Sequence, residues 1–87
     1  MERPKHRDDV LTEPFEDQAV VVDLVSGEYH TLNQTGMLIW EHCDGKHPLD
    51  DLAKVLVQRF ELDADEALTD VRYLIERLAT AGLLEPD

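Results

Sequence analysis

The 87-residue chain has a single cysteine, a single serine, and no apolar run approaching the ~20 residues that a membrane-crossing helix needs. Cys43 alone cannot build an internal disulfide framework, so a reducing cytoplasm is the expected setting. The stretch from Met1 to Asp9 has no apolar segment after its basic residues and does not read as a signal peptide. Basic side chains are scarce as well. Eight Lys and Arg stand against twenty Asp and Glu, a formal charge of −12. Phosphate backbones are held by Lys and Arg, so this balance argues against nucleic acid, and no membrane partner is expected.

The patterns of covalent chemistry are missing too. Ser26 sits in a turn without glycine on both sides, so the nucleophile-elbow pattern is absent, and the isolated glycines form no phosphate-cradling loop. His42, Asp44 and His47 lie close in sequence, without a His-x-x-x-His pair or a second cysteine to complete a metal site. Neighbouring helical residues point in different directions, so Cys43 beside His42 reads as a buried packing residue. Asp8-Asp9, Asp50-Asp51 and Asp63/Asp65/Glu66 fall in the N-terminal arm or at helix starts, where solubility and capping account for them. A carrier protein would need a serine at a helix start, and Ser26 is not there. The expectation is a binding module, with no enzyme activity, no metal and no cofactor.

What is present suits one small domain: 43% hydrophobic and 32% charged residues. Residues 1–8 lack apolar periodicity and are expected to form a mobile arm, with the domain spanning 9–87. Val10 to Thr12 is a short first strand, ending near Pro14. Ala19 to Val25 and Glu28 to Leu32 flank Ser26-Gly27 as a β-hairpin. With a tight turn, Leu24 faces Tyr29 and Val22 faces Thr31 on an apolar side, and Asp23 faces His30 on the other.

Three helices follow. Asn33 caps the first, over about 34–42, with Met37, Trp40 and Cys43 inward. The second starts at Pro48 and buries Leu49, Leu52, Ala53, Leu56 and Phe60. The third spans 64–80 between a near capping box, Asp63-Ala64-Asp65-Glu66, and a C′ glycine, Gly82, after which Leu83 folds back on Leu78. Its apolar stripe is Ala67, Leu68, Val71, Leu74, Ile75 and Leu78. Strands followed by helices make the class α+β, a small antiparallel sheet against a helical bundle.

A small sheet has edges, and Glu28 to Leu32 has neither proline nor lysine to guard its own. With the third helix beside it, that strand would border a groove in which an extended peptide adds as a further strand. Periodicity leaves open that the sheet closes on its own first strand and binds nothing.

The string Asp23-Leu24-Val25-Ser26-Gly27-Glu28-Tyr29-His30-Thr31-Leu32-Asn33-Gln34-Thr35-Gly36, followed by Ile39-Trp40-Glu41, resembles the PqqD family. Asp44-Gly45, then Asp70-Val71, Leu74-Ile75, Leu78 and Gly82-Leu83-Leu84 continue the pattern, so the resemblance runs from about Val10 to Leu84. The family often has Thr where this chain has Pro48, a change without expected effect on function. The resemblance implies a winged-helix-like fold, with a three-stranded antiparallel sheet followed by three helices. It also implies the role of a precursor-peptide recognition element for ribosomally made, post-translationally modified peptides. Such a domain binds the leader of a precursor peptide and presents it to a leader peptidase or other modifying enzyme. Carried over to this chain, the leader adds to Glu28, Tyr29, His30, Thr31 and Leu32. It lies against a helix face drawn from Leu68, Asp70, Val71, Arg72, Leu74, Ile75 and Leu78, with Glu76 also at the rim. Val71→Glu is expected to abolish leader binding and spare the fold. The winged-helix shape would otherwise suggest DNA, but Arg72 and Arg77 stand among Glu66, Asp70 and Glu76. Two pathway readings follow: a stand-alone partner of a lasso-peptide leader peptidase, or a chaperone of the pyrroloquinoline quinone precursor working with a radical SAM enzyme. A reading of another class is a structural subunit that dimerises through the same edge.

Overall fold

A computed structural model describes residues 3–86; residues 1, 2 and 87, the ends of the expected arm and domain, lie outside the described residues. Strands β1 (Val10–Phe15), β2 (Gln18–Asp23) and β3 (Tyr29–Leu32) precede helices α1 (Gln34–Glu41), α2 (Leu49–Phe60) and α3 (Ala64–Thr80). The strands form one antiparallel sheet in the order β1-β2-β3. This is the α+β arrangement of three strands followed by three helices expected from the sequence.

The hairpin register differs from expectation by two residues. Val22 pairs with Tyr29 and Val21 with His30, so the turn is not the tight Ser26-Gly27 pair. The reason lies in Asp23. Its carboxylate accepts the main-chain N–H of Val25 at 2.9 Å and of Ser26 at 3.3 Å, and its carbonyl accepts from Gly27 at 2.8 Å. These bonds close a loop from Leu24 to Gly27 and end the strand early. The buried face is also the opposite one: Ala19, Val21, Asp23 and Leu32 are turned to the helices, while Tyr29 is exposed. Asp23 tolerates burial because Arg7 also reaches it, at 3.2 Å.

The ladder fixes which main-chain groups remain free. Asp23 N–H bonds the Glu28 carbonyl at 2.8 Å, and Leu24 N–H bonds the Asp9 carbonyl at 3.0 Å. Antiparallel pairing alternates from there, so His30 and Leu32 bond toward β2, and the N–H and C=O of Tyr29 and Thr31 point away. On the other edge, Thr12 and Pro14 point outward. That is why β1 runs through Pro14 instead of ending near it: a proline there removes no bond to β2.

Ile39, Trp40 and Cys43 of the α1 region pack with Leu52, Leu56, Val71, Leu78 and Leu83 in one core. The Trp40 indole N–H donates to the Thr12 hydroxyl at 2.8 Å, tying α1 to the sheet. Asn33 caps α1 by accepting from Gly36 N–H at 2.8 Å. Asp63 sits at the N-cap of α3 without a side-chain bond, so the expected capping box is not formed; Asp65 and Glu66 act instead on the helix dipole. The far end is as expected. Gly82 has φ +76°, its N–H bonds the Ala79 carbonyl, and Leu83 N–H bonds the Leu78 carbonyl, a Schellman ending.

The N-terminal stretch expected to be mobile lies against the domain from Pro4 to Arg7. Pro4 is fully buried, Lys5 and His6 make isolated bridges to Asp44 and Leu84, and the His6 ring lies 5.1 Å from that of Trp40. Arg7 joins Asp9 at 2.7 Å, Asp23 at 3.2 Å and the Gly82 carbonyl at 2.7 Å. Main-chain bonds and ion pairs of this kind leave no mark on apolar periodicity.

Candidate functional site

The candidate site is the open edge of β3. Among the described residues no strand pairs with its outer side, and α3 packs along α2 so that a groove of about 540 Å³ separates it from that edge. One wall comes from His30, Thr31 and Leu32, continued by Asn33, Thr35 and Gly36 at the start of α1. The other is a single face of α3, Asp70, Tyr73, Leu74, Arg77 and Leu78, at the 3/4 spacing of neighbours on a helix, with the C-cap Ala81 just beyond. Gln18 and Leu83 complete the lining.

The expected residues divide into three groups. His30, Thr31, Leu32, Asp70, Leu74 and Leu78 line the groove. Glu28 and Tyr29 border the edge without lining it, and the Tyr29 ring points to the other side of the sheet, 71% exposed. Leu68, Val71, Arg72 and Ile75 do not line it. Val71 is 0% and Ile75 5% exposed, both in the core, so the expectation that Val71→Glu spares the fold is corrected. Arg72 is exposed and Leu68 half-buried, on other faces of α3.

Tyr73, Arg77 and Ala81 also line the groove, off the apolar stripe legible in the sequence, which marks the core face. The groove face is rotated by about one residue from it. The signal was Tyr73, a large aromatic among charged neighbours. The Arg77 guanidinium lies 5.8 Å from the centre of its ring, so the two exposed side chains meet at the rim.

The groove mixes apolar and polar groups. Leu32, Leu74 and Leu78 supply its apolar lining, with Asp70 and Arg77 as opposite charges along the α3 wall. The His30 Nε2 is shielded from solvent and has no hydrogen-bond partner, so one polar group beneath the edge is unsatisfied. None of these side chains pairs a nucleophile with a base. Cys43 lies away from the groove, bonded to the Ile39 carbonyl at 3.3 Å, and burial pushes its thiol up to about 12, far from thiolate formation at neutral pH. The Asp44 carboxylate is held below its usual range, first by the Lys46 main-chain N–H and then by His47. Among the described residues no group of three His, Cys, Asp or Glu side chains is placed to hold a metal ion. No helix of the described residues is long and apolar enough to cross a membrane.

Comparison with known proteins gives a consistent result. Residues 18–84 match the family described as coenzyme PQQ synthesis protein D (PqqD). Among solved structures, TbiB1 in complex with the TbiA(β) leader peptide superposes with a TM-score of 0.86 at 24% identity, covering 95% of this chain and 96% of that one. Lasso peptide synthetase B1 complexed with the leader peptide superposes with a TM-score of 0.85 at 27% identity, covering 97% of this chain and 99% of that one. No curated protein sequence matches the chain.

Proposed function

This chain belongs to the PqqD family, and we propose that it is a non-catalytic adaptor that captures the leader of a precursor peptide and presents it to a processing enzyme. The observation that carries this reading is the unguarded edge of β3, facing a groove whose far wall is α3. The leader adds as a fourth strand through the free N–H and C=O groups of Tyr29 and Thr31. Its side chains on one face drop toward Leu32, Leu74 and Leu78, and Asp70 and Arg77 read charge at the rim.

The energies permit this. Four main-chain hydrogen bonds contribute roughly 1 kcal/mol net each. Two apolar anchors add ~1.5–3 kcal/mol each when fully buried. Against them stand association costs of ~4–15 kcal/mol, so useful affinity depends on anchors that fill the groove. Anchors therefore govern specificity, and the edge supplies sequence-independent grip.

The likeness to lasso peptide synthetase B1, whose structure holds a leader peptide, favours a lasso-type precursor and a leader peptidase as the processing enzyme. The test is an NMR titration of the ¹⁵N-labelled chain with a synthetic leader peptide of a lasso precursor. Shifts concentrated at Tyr29, Thr31 and the Asp70–Ala81 face are expected. An unchanged spectrum at millimolar peptide overturns the proposal.

A further inference from the structure

The side of the sheet turned away from the helices is apolar and uncovered. Among the described residues six large hydrophobic side chains are exposed, and five of them, Leu11, Phe15, Leu24, Val25 and Tyr29, lie on this face or at the β2–β3 turn. Val20 and Val22 fill the space between the flanking strands and are only half-buried. Exposed apolar side chains gathered in this way on a small domain mark an interaction surface.

Charge identifies the occupant. From Asp8 to Gly45 the chain has no Lys or Arg, so the whole sheet is free of them, and Glu13 between Leu11 and Phe15, with Glu16 and Asp17 at the β1–β2 turn, lends the apolar patch an acidic border. A second copy would bring an identical acidic rim against this one, in a chain already at −12. We propose that this face docks the processing enzyme itself, through an apolar surface on that enzyme bordered by Lys and Arg. The inference rests on the adaptor role above and adds to it the surface through which the adaptor acts. Because the groove lies between β3 and α3 and the patch lies on the opposite side of the sheet, leader and enzyme are held at the same time. The adaptor then joins the two without surrendering the peptide.

The test uses the full chain, with a purified lasso-pathway leader peptidase as the probe. The double variant Leu11→Ser/Phe15→Ser changes two β1 side chains remote from the groove. We expect peptidase affinity to fall about tenfold or more, leader affinity to stay unchanged, and wild-type peptidase binding to weaken as salt rises. Unchanged peptidase affinity in a folded double variant overturns the assignment. So does a wild-type dimer in sedimentation velocity that the double variant abolishes, since the occupant is then a second copy. Should the variant not fold, hydrogen exchange on the wild type decides: protection of residues 11–25 on adding peptidase supports the proposal, and protection elsewhere alone overturns it. A chain that binds leader but not peptidase sinks this inference only, and one that binds no leader removes the reading beneath it.

Discussion

Proline at position 31 isolates the contribution of the open edge. Thr31 sits opposite Val20 at a pair that makes no ladder bond, so its N–H points away from β2 and a proline there leaves the sheet's own bonds intact. The fold already contains the equivalent experiment: Pro14 occupies the outward-pointing position of β1, opposite Ala19. For a guest strand the change is severe. Thr31 offers one donor and one acceptor. The donor is lost, and the pyrrolidine ring pushes the guest away from the acceptor. At ~0.5–1.5 kcal/mol net per hydrogen bond, the loss is about 1–3 kcal/mol, or roughly 5- to 150-fold in Kd. Isothermal calorimetry with the leader peptide measures it, and circular dichroism verifies the fold. A folded Thr31→Pro variant that binds leader with wild-type affinity refutes strand addition, leaving at most a side-chain contact with α3.

Three further outcomes are expected. Val71→Glu places a charge among core side chains at a position of 0% exposure and lowers the melting temperature by about 12–40 °C, because an unpaired buried charge costs about 3–5 kcal/mol at about 4–8 °C per kcal/mol. Gly82→Ala meets no neighbour within 4 Å, so its cost is purely that of φ +76°; at about 1–2 kcal/mol the melting temperature drops by about 4–8 °C per kcal/mol. Stability against denaturant falls off on both sides of neutrality. The Asp23 and Asp44 carboxylates are held below their ordinary 3.8 by main-chain N–H groups, with Arg7 and His47 assisting, so the stability they contribute is present above pH 3.8 and is lost as pH falls below it. The Cys43 thiol is raised from 9.0 to about 12 by burial, so stability is lost as pH rises from 9.0 toward about 12. A flat urea midpoint across both ranges contradicts these shifts.

Helices were legible because each carries its own punctuation and stripe. Asn33 caps α1 and Gly82 terminates α3 through bonds that span only a few residues, and such bonds are encoded locally. Leu52, Leu56, Ala67, Val71 and Leu78 fall on the buried faces that the 3/4 spacing marked. What was not legible depends on partners distant in sequence. The N-terminal stretch is held by Leu83, Leu84 and Gly82, more than seventy residues away in the chain for Arg7 and Gly82. The groove wall illustrates the same limit. Leu74 and Leu78 belong to both core and groove, and only the position of α3 relative to β3 separates Asp70, Tyr73 and Arg77 from their neighbours.

The reversed face of the sheet has a more instructive cause. Ala19-Val20-Val21-Val22 is apolar at every position, so period-two alternation has no phase to read, and either face of β2 could be the inner one. The large residues Leu24 and Tyr29 suggested the wrong face. The phase is set instead by Asp23, which turns inward because Arg7 and the turn amides satisfy it there, and by Thr12, which must face the Trp40 indole. A strand that is apolar on both faces belongs in a sheet covered on both sides. This fold covers one side with its helices, and Leu11, Val20, Val22 and Tyr29 remain on the other. The ambiguity that defeated the sequence reading is therefore the same property that calls for a second partner: β2 is composed as an interior strand, and in the isolated chain only half of that interior exists.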